Sequence, residues 1–237
     1  MTDYIISPHP RASVAVMSSD QRFPVRRIFC VGRNYGAHAK EMGFSEKEPP
    51  FFFTKPADAI VETGSTIPYP PLTEDLHHEI ELVLAVGKSG ANIVKEEAMA
   101  HIWGAGVGID FTRRDIQIAH REKGRPWDWG KAFDNSAPLS PLIPLENLPE
   151  AQAEFANGRI WLSVNGKVRQ EADLSELIWS VKDIIVFCSQ SVRLQAGDLI
   201  FTGTPAGVAA VGPGDCLSGG VDGVGEIQIS LSEREVE

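Results

Sequence analysis

The chain has 237 residues, 43% of them hydrophobic, enough to fill one large core. Its 22 basic and 32 acidic residues leave a net charge of −10 with no basic run, which argues against nucleic-acid or anionic-membrane partners. No apolar stretch approaches the roughly 18 residues needed to span a bilayer. The opening "MTDYIISPHPRASV" lacks the basic and apolar regions of a signal peptide, so the expected location is cytoplasmic. Cys30, Cys188 and Cys216 are odd in number and widely spaced without a C-x-x-C pair, as for reduced, packed thiols.

Residues 1–24 are polar, contain Pro8, Pro10 and Pro24, and show no period, so they read as an extended arm before a domain covering 25–237. "RIFCV" and "PPFFFTK" read as strands on either side of a short helix over "YGAHAKEMG", closed by Gly43. "DLHHEIELVLAVGK", residues 75–88, carries a half-buried strand, followed by a helix over "VKEEAMAHI". "WGAGVGID" is Gly-rich and β-like. Asp110 then stands as N-cap of a helix "FTRRDIQIAHREK" that stops at Gly124. In "IWLSVNGKVRQ", Asn165-Gly166 supplies the two positive-φ residues of a type I′ hairpin. Leu177, Ile178, Val181, Ile184, Ile185 and Cys188 have helical spacing, and "GDLIFTGTP" and "GEIQISL" close the chain as strands. Short strands without regular β-α alternation imply an α+β domain on a rolled sheet.

The chemistry starts at Glu79 and Glu81. A strand alternates its faces, so both carboxylates point one way while Ile80, Leu82, Leu84 and Val86 point the other. Two buried carboxylates repel, so that face is either wet or occupied by a cation. Asp110, which ends a run of glycines and small residues, supplies a third carboxylate. Three carboxylates and water make a hard oxygen site suited to Mg²⁺ or Mn²⁺. His77 shares the glutamate face, but no further spaced His or Cys completes a zinc site. His38 and Glu41, three apart on the expected helix, can pair so that the carboxylate raises the imidazole's basicity, as a general base requires. The bland alternative is a surface pair contributing little. Arg113, Arg114, Arg121, Lys123, Arg125 and Lys131 concentrate positive charge after Asp110, which favours an anionic substrate such as a dicarboxylate if the segment lines the site. "GAGVG" lacks the spacing of a dinucleotide loop, "TGTPAG" lacks a phosphate-binding lysine, and no G-x-S-x-G elbow occurs.

"GRNYGAHAKEM", "FFFTKPADAI", "HHEIELVLAVGK", "GIDFTRRDIQ", "GRPWDWGKAFD" and "LIFTGTPAGV" stand in one order from about Arg26 onward, and together they resemble the fumarylacetoacetate hydrolase family. The resemblance implies a mixed β-sandwich roll with a few short helices, usually a homodimer. It implies that Glu79, Glu81 and Asp110 hold Mg²⁺ or Mn²⁺, and that His38 with Glu41 activates water. Lys131 would stand near the substrate, Arg114 and Gln117 in the same pocket, and Lys55 and Thr204 at substrate-contacting positions. The implied activity is metal-dependent hydrolysis of a carbon-carbon bond in a 1,3-dioxo acid, with fumarylpyruvate favoured and gentisate-type aromatic degradation as the setting. Arg33, Arg113 and Arg125 are candidates for its distal carboxylate. Alternatives are an oxaloacetate decarboxylase or hydroxydienedioate isomerase on the same scaffold, or a non-catalytic dicarboxylate binder.

Overall fold

The strand Ile80–Val86 runs through the middle of an eight-stranded mixed sheet in the computed structural model, which describes residues 4–37, 48–149 and 154–234. Asp198–Phe201 and Ile102–Ile109 flank it, both antiparallel. Beyond them lie Arg27–Gly32 and Phe51–Lys55 on one side, Ala137–Leu139 and Ile60–Glu62 on the other. A five-stranded sheet, built on the hairpin Arg159–Val164 and Lys167–Asp173, covers one face. Its turn has φ of 51° at Asn165 and 75° at Gly166, the type I′ signature.

All seven residues of Ile80–Val86 are buried, so the strand is covered on both faces and not half-buried as its sequence suggests. Leu82, Leu84 and Val86 enter the larger core with Leu162, Leu217 and Ile229. Val83 and Ala85 enter a second core with Ile28, Cys30, Leu199 and Phe201. Residues expected to form an extended arm help close that second core. Ser13–Ala15 pairs with Arg22–Pro24, and Val14 stands directly opposite Phe23, both buried. Each such side chain contributes on the order of 1.5–3 kcal/mol by leaving water.

The glycine-rich segment forms a strand because its small residues admit close neighbours. Gly108 pairs with Glu81, and a Cβ there would stand 2.5 Å from Phe201 and 2.7 Å from Val83. Three expected helices differ in extent. Lys95–His101 is 3₁₀, and Ile102 already opens the next strand. Thr112–Arg113 pairs with Leu76–His77, so the following α-helix starts only at Arg114 and runs to Glu122, with Gly124 at φ 63° beyond it. Asp110 therefore caps no helix; it links the strand Ile102–Ile109 to the short strand Thr112–Arg113 of a separate three-stranded sheet. Val181–Ser191 is an α-helix opened by a Ser180–Asp183 capping box, and Leu177 and Ile178 lie before it. Among the described residues no helix is long and apolar enough to cross a membrane. Cys30, Cys188 and Cys216 are free.

Candidate active site

Glu79 precedes the central strand, Glu81 is its second residue, and Asp110 follows the end of the neighbouring strand. Register brings them together: Ile80 pairs with Ile109, and the Asp110 N–H donates to the Glu79 carbonyl at 2.8 Å. One carboxylate oxygen from each of the three lies within 4.8 Å of the others. All three side chains are buried, Asp110 completely.

Three buried cations are set among these carboxylates. Lys131 Nζ lies 2.8 Å from Glu79 Oε2 and 2.6 Å from Asp110 Oδ2. Arg114 pairs with Glu79 Oε1. Lys55 Nζ stands 2.8 Å from Asp110 Oδ1 but donates to the carbonyl oxygens of Phe111, at 3.1 Å, and Lys131. The Lys55 contact is thus an ion pair without hydrogen-bond alignment, and Asp110 Oδ1 has no hydrogen bond among the described residues. Glu81 Oε2 accepts from the Gly203 N–H at 2.7 Å. Burial pushes the Glu81 carboxyl well up, and Asp110 and Glu79 push it further. For Lys131, burial favours the neutral amine, but Asp110 and Glu79 outweigh it and hold the ammonium above its ordinary range. Buried charges that are paired in this way are costly to break, each loss amounting to about 3–5 kcal/mol.

The donor set fits a hard divalent cation. It offers carboxylate oxygens from three residues, one oxygen lacks a hydrogen-bond donor, and the proton favoured on Glu81 is one that such a cation displaces.

Glu79 and Glu81 line a pocket together with Val31, Arg33, Phe53, Arg114, Gln117, Arg121, Trp127, Lys131 and Thr204, and Asp110 lies just behind that lining. Arg114 and Gln117, three apart, share the buried face of their helix, and Arg114 Nη1 donates to Gln117 Oε1 at 2.5 Å. Gly130 lets the short helix Asp128–Lys131 close on Gln117, where a Cβ would meet Gln117 at 3.0 Å. His77 carries no cluster role; its Nε2 lies 2.9 Å from Asp75 and its Nδ1 3.4 Å from Arg114 Nε.

Of the residues singled out in the sequence, Glu79, Glu81, Asp110, Lys131, Arg114, Gln117 and Thr204 come together here. Lys55 does not line the pocket and sits behind Asp110. His38 and Glu41, with the helix expected around them, lie outside the described residues. Arg33 lines the pocket, whereas Arg113 stacks on Phe133 at 4.2 Å and Arg125 is exposed outside it. Sequence reasoning missed Gln170, fully buried in the hairpin and bonded to Thr204. A lone glutamine among exposed Lys167, Val168 and Arg169 gives little signal.

The family model for the C-terminal domain of fumarylacetoacetate hydrolase matches residues 27–231. A fumarylpyruvate hydrolase of a Ralstonia species is 43% identical over 79% of this chain and 95% of its own length. A mitochondrial oxaloacetate tautomerase of Mus musculus is 39% identical over 89% of this chain and 93% of its own length. The crystal structure of fumarylpyruvate hydrolase from Pseudomonas aeruginosa, in complex with Mn²⁺ and pyruvate, superposes with a TM-score of 0.93 at 48% identity, covering 98% of this chain and all of that one. The mixed sheets and the buried acidic cluster thus agree with the matched sequence, and the chain belongs to the fumarylacetoacetate hydrolase family.

Proposed function

We propose that the protein hydrolyses the carbon-carbon bond of an acylpyruvate, with fumarylpyruvate as the favoured substrate and fumarate and pyruvate as products. The observation that carries the reading is the buried cluster of Glu79, Glu81 and Asp110, opening into a pocket that also holds Arg114, Gln117 and Lys131. Similarity to the Ralstonia and Pseudomonas hydrolases supports the hydrolase over the tautomerase named among its relatives.

Glu79, Glu81 and Asp110 would hold Mg²⁺ or Mn²⁺, which when bound supplies Lewis-acid polarisation of substrate oxygens. Charge balance supports a dianionic substrate. Three carboxylates face Lys55, Lys131 and Arg114, and Arg33 and Arg121 also line the pocket, so a divalent cation would leave the site with positive charge in excess. In this reading His38, with Glu41 as its partner, would take a proton from water, and the hydroxide would form the new carbon-oxygen bond at the carbonyl farther from the keto acid. The carbon-carbon bond then breaks, its electron pair leaves with the pyruvate half as an enolate, and the proton taken from water is returned to that carbon to give pyruvate. The Lys131 ammonium, held charged by Asp110 and Glu79 at the pocket wall, supports this reading as the group that would stabilise that developing negative charge. Arg114 and Gln117 orient the substrate, and dimerisation belongs to the same reading.

The test is turnover of fumarylpyruvate, acetylpyruvate and oxaloacetate by the purified protein with Mg²⁺ or Mn²⁺. Hydrolysis of the acylpyruvates that stops on chelation is expected. Activity confined to oxaloacetate ends the hydrolase reading, and undiminished turnover after chelation ends the metal assignment.

A further inference from the structure

Two backbone groups fix the direction of a hydrogen bond at the pocket wall. The Ile80 N–H donates to one side-chain atom of Gln170 at 3.1 Å, which makes that atom the amide oxygen. The Pro205 carbonyl accepts from the other at 2.9 Å, which makes that one the amide nitrogen. Because proline lacks an N–H and Ile80 can only donate through its own, the Gln170 amide has one possible orientation. His78 Nδ1, 2.8 Å from the same oxygen, must then carry the imidazole proton. On the other side, Gln170 Nε2 donates to Thr204 Oγ1 at 2.8 Å. Thr204 therefore accepts from Gln170, and its own proton goes elsewhere. Thr204 is buried, lines the pocket beside Glu79, Glu81 and Lys131, and donates no hydrogen bond among the described residues. The remaining direction for its proton is the pocket itself.

We infer that Gln170, which lies behind the pocket wall and does not line it, is a positioning residue that turns the Thr204 hydroxyl into an obligatory donor toward a carboxylate oxygen of the ligand. The inference rests on reading the pocket as an acylpyruvate site, and it adds a residue that selects for an acceptor at that position. A ligand presenting a donor there meets a hydroxyl that cannot turn to accept without breaking the Gln170 bond. In Gln170→Glu the oxygen facing Ile80 and His78 is kept, but the second oxygen has no proton to give. The Thr204 hydroxyl then donates backward, away from the ligand.

Oxalate, a small dicarboxylate, serves as probe in calorimetry with Mn²⁺, alongside KM and kcat for fumarylpyruvate and the thermal midpoint of each variant. A hydrogen bond to a charged group implies a loss of about tenfold to a hundredfold in oxalate affinity for Thr204→Val, with Thr204→Ser restoring wild-type binding. Gln170→Glu should lose as much, with KM rising more than kcat falls, and the double variant Gln170→Glu/Thr204→Val should be no worse than either single. If Gln170→Glu does not fold, Gln170→Met serves in its place. Losses that multiply in the double variant, or wild-type oxalate affinity in a folded Gln170 variant, overturn the inference, as does wild-type protein that fails to bind oxalate. The expected pattern without acylpyruvate turnover instead refutes the proposed function and leaves the positioning role standing.

Discussion

The two ends of the strand Ile80–Val86 are equally buried and differ in everything else. From Leu82 to Val86 the strand presents apolar side chains to two cores, and its stability comes from packing. At the Glu79–Glu81 end the same depth is occupied by charge, offset by Lys131 and Arg114 and by the Gly203 amide. Depth alone therefore does not distinguish scaffold from site. The distinction lies in which groups would be left uncompensated if a neighbour were removed. Asp110 is tied to two lysines, whereas Glu81 has no ion-pair partner among the described residues.

The largest effect is expected for Asp110→Asn, which removes a carboxylate from the cluster, leaves Lys55 without its ion-pair partner and leaves Lys131 with Glu79 alone. Acylpyruvate kcat/KM should fall by about 10³-fold, and urea unfolding should report a loss of about 3–5 kcal/mol. Wild-type stability in that variant would mean the pairs contribute nothing. Leu84→Ala probes the other end. It should cost about 2–5 kcal/mol in the same unfolding experiment while Mn²⁺ affinity, read by calorimetry, stays at the wild-type value. Glu81→Gln reverses the pattern. Its Mn²⁺ affinity should drop by about tenfold to a hundredfold, with metal-free stability within about 1 kcal/mol of wild type. A large stability loss there would erase the contrast with Asp110.

The smallest effect lies far from both ends. Burial pushes the Asp183 carboxyl up, but its contacts with Lys95 and Ser180 outweigh this and hold it below its ordinary value. A depressed carboxylate stabilises the fold above the unfolded value near 3.8, and that contribution is lost as the pH falls through the folded value. Asp183→Ala should cost about 0.5–1 kcal/mol at neutral pH, and less in acid.

Much of the site was legible because it obeys local rules. Glu79 and Glu81 share a face by alternation, and Arg114 and Gln117 share one by helical spacing. Lys55, expected against the substrate but found behind Asp110, and Gln170, which escaped notice, act across long separations. Lys55 reaches Asp110 because Phe51–Lys55 pairs with Arg27–Gly32 at the sheet's far flank, and Gln170 reaches Thr204 from the middle of the strand Lys167–Asp173 in the other sheet. No periodicity encodes such meetings. The N-terminal hairpin was hidden for a related reason, since its strands are three residues each, too short to show a period, and Val14 meets Phe23 only once they pair. The expected Asp110 cap failed because strand pairing at Thr112–Arg113 with Leu76–His77 took the backbone that a helix needed.

The bond from the Asp110 amide to the Glu79 carbonyl continues the ladder between Ile80–Val86 and Ile102–Ile109, the central strands of the larger sheet, and both residues are buried. Its proton should therefore be among the last in the molecule to exchange with deuterium, surviving until the whole domain opens. A centre anchored so firmly has little freedom to adapt to new molecules by shifting its own atoms, so altered selectivity is more accessible through rim residues such as Arg33 and Trp127.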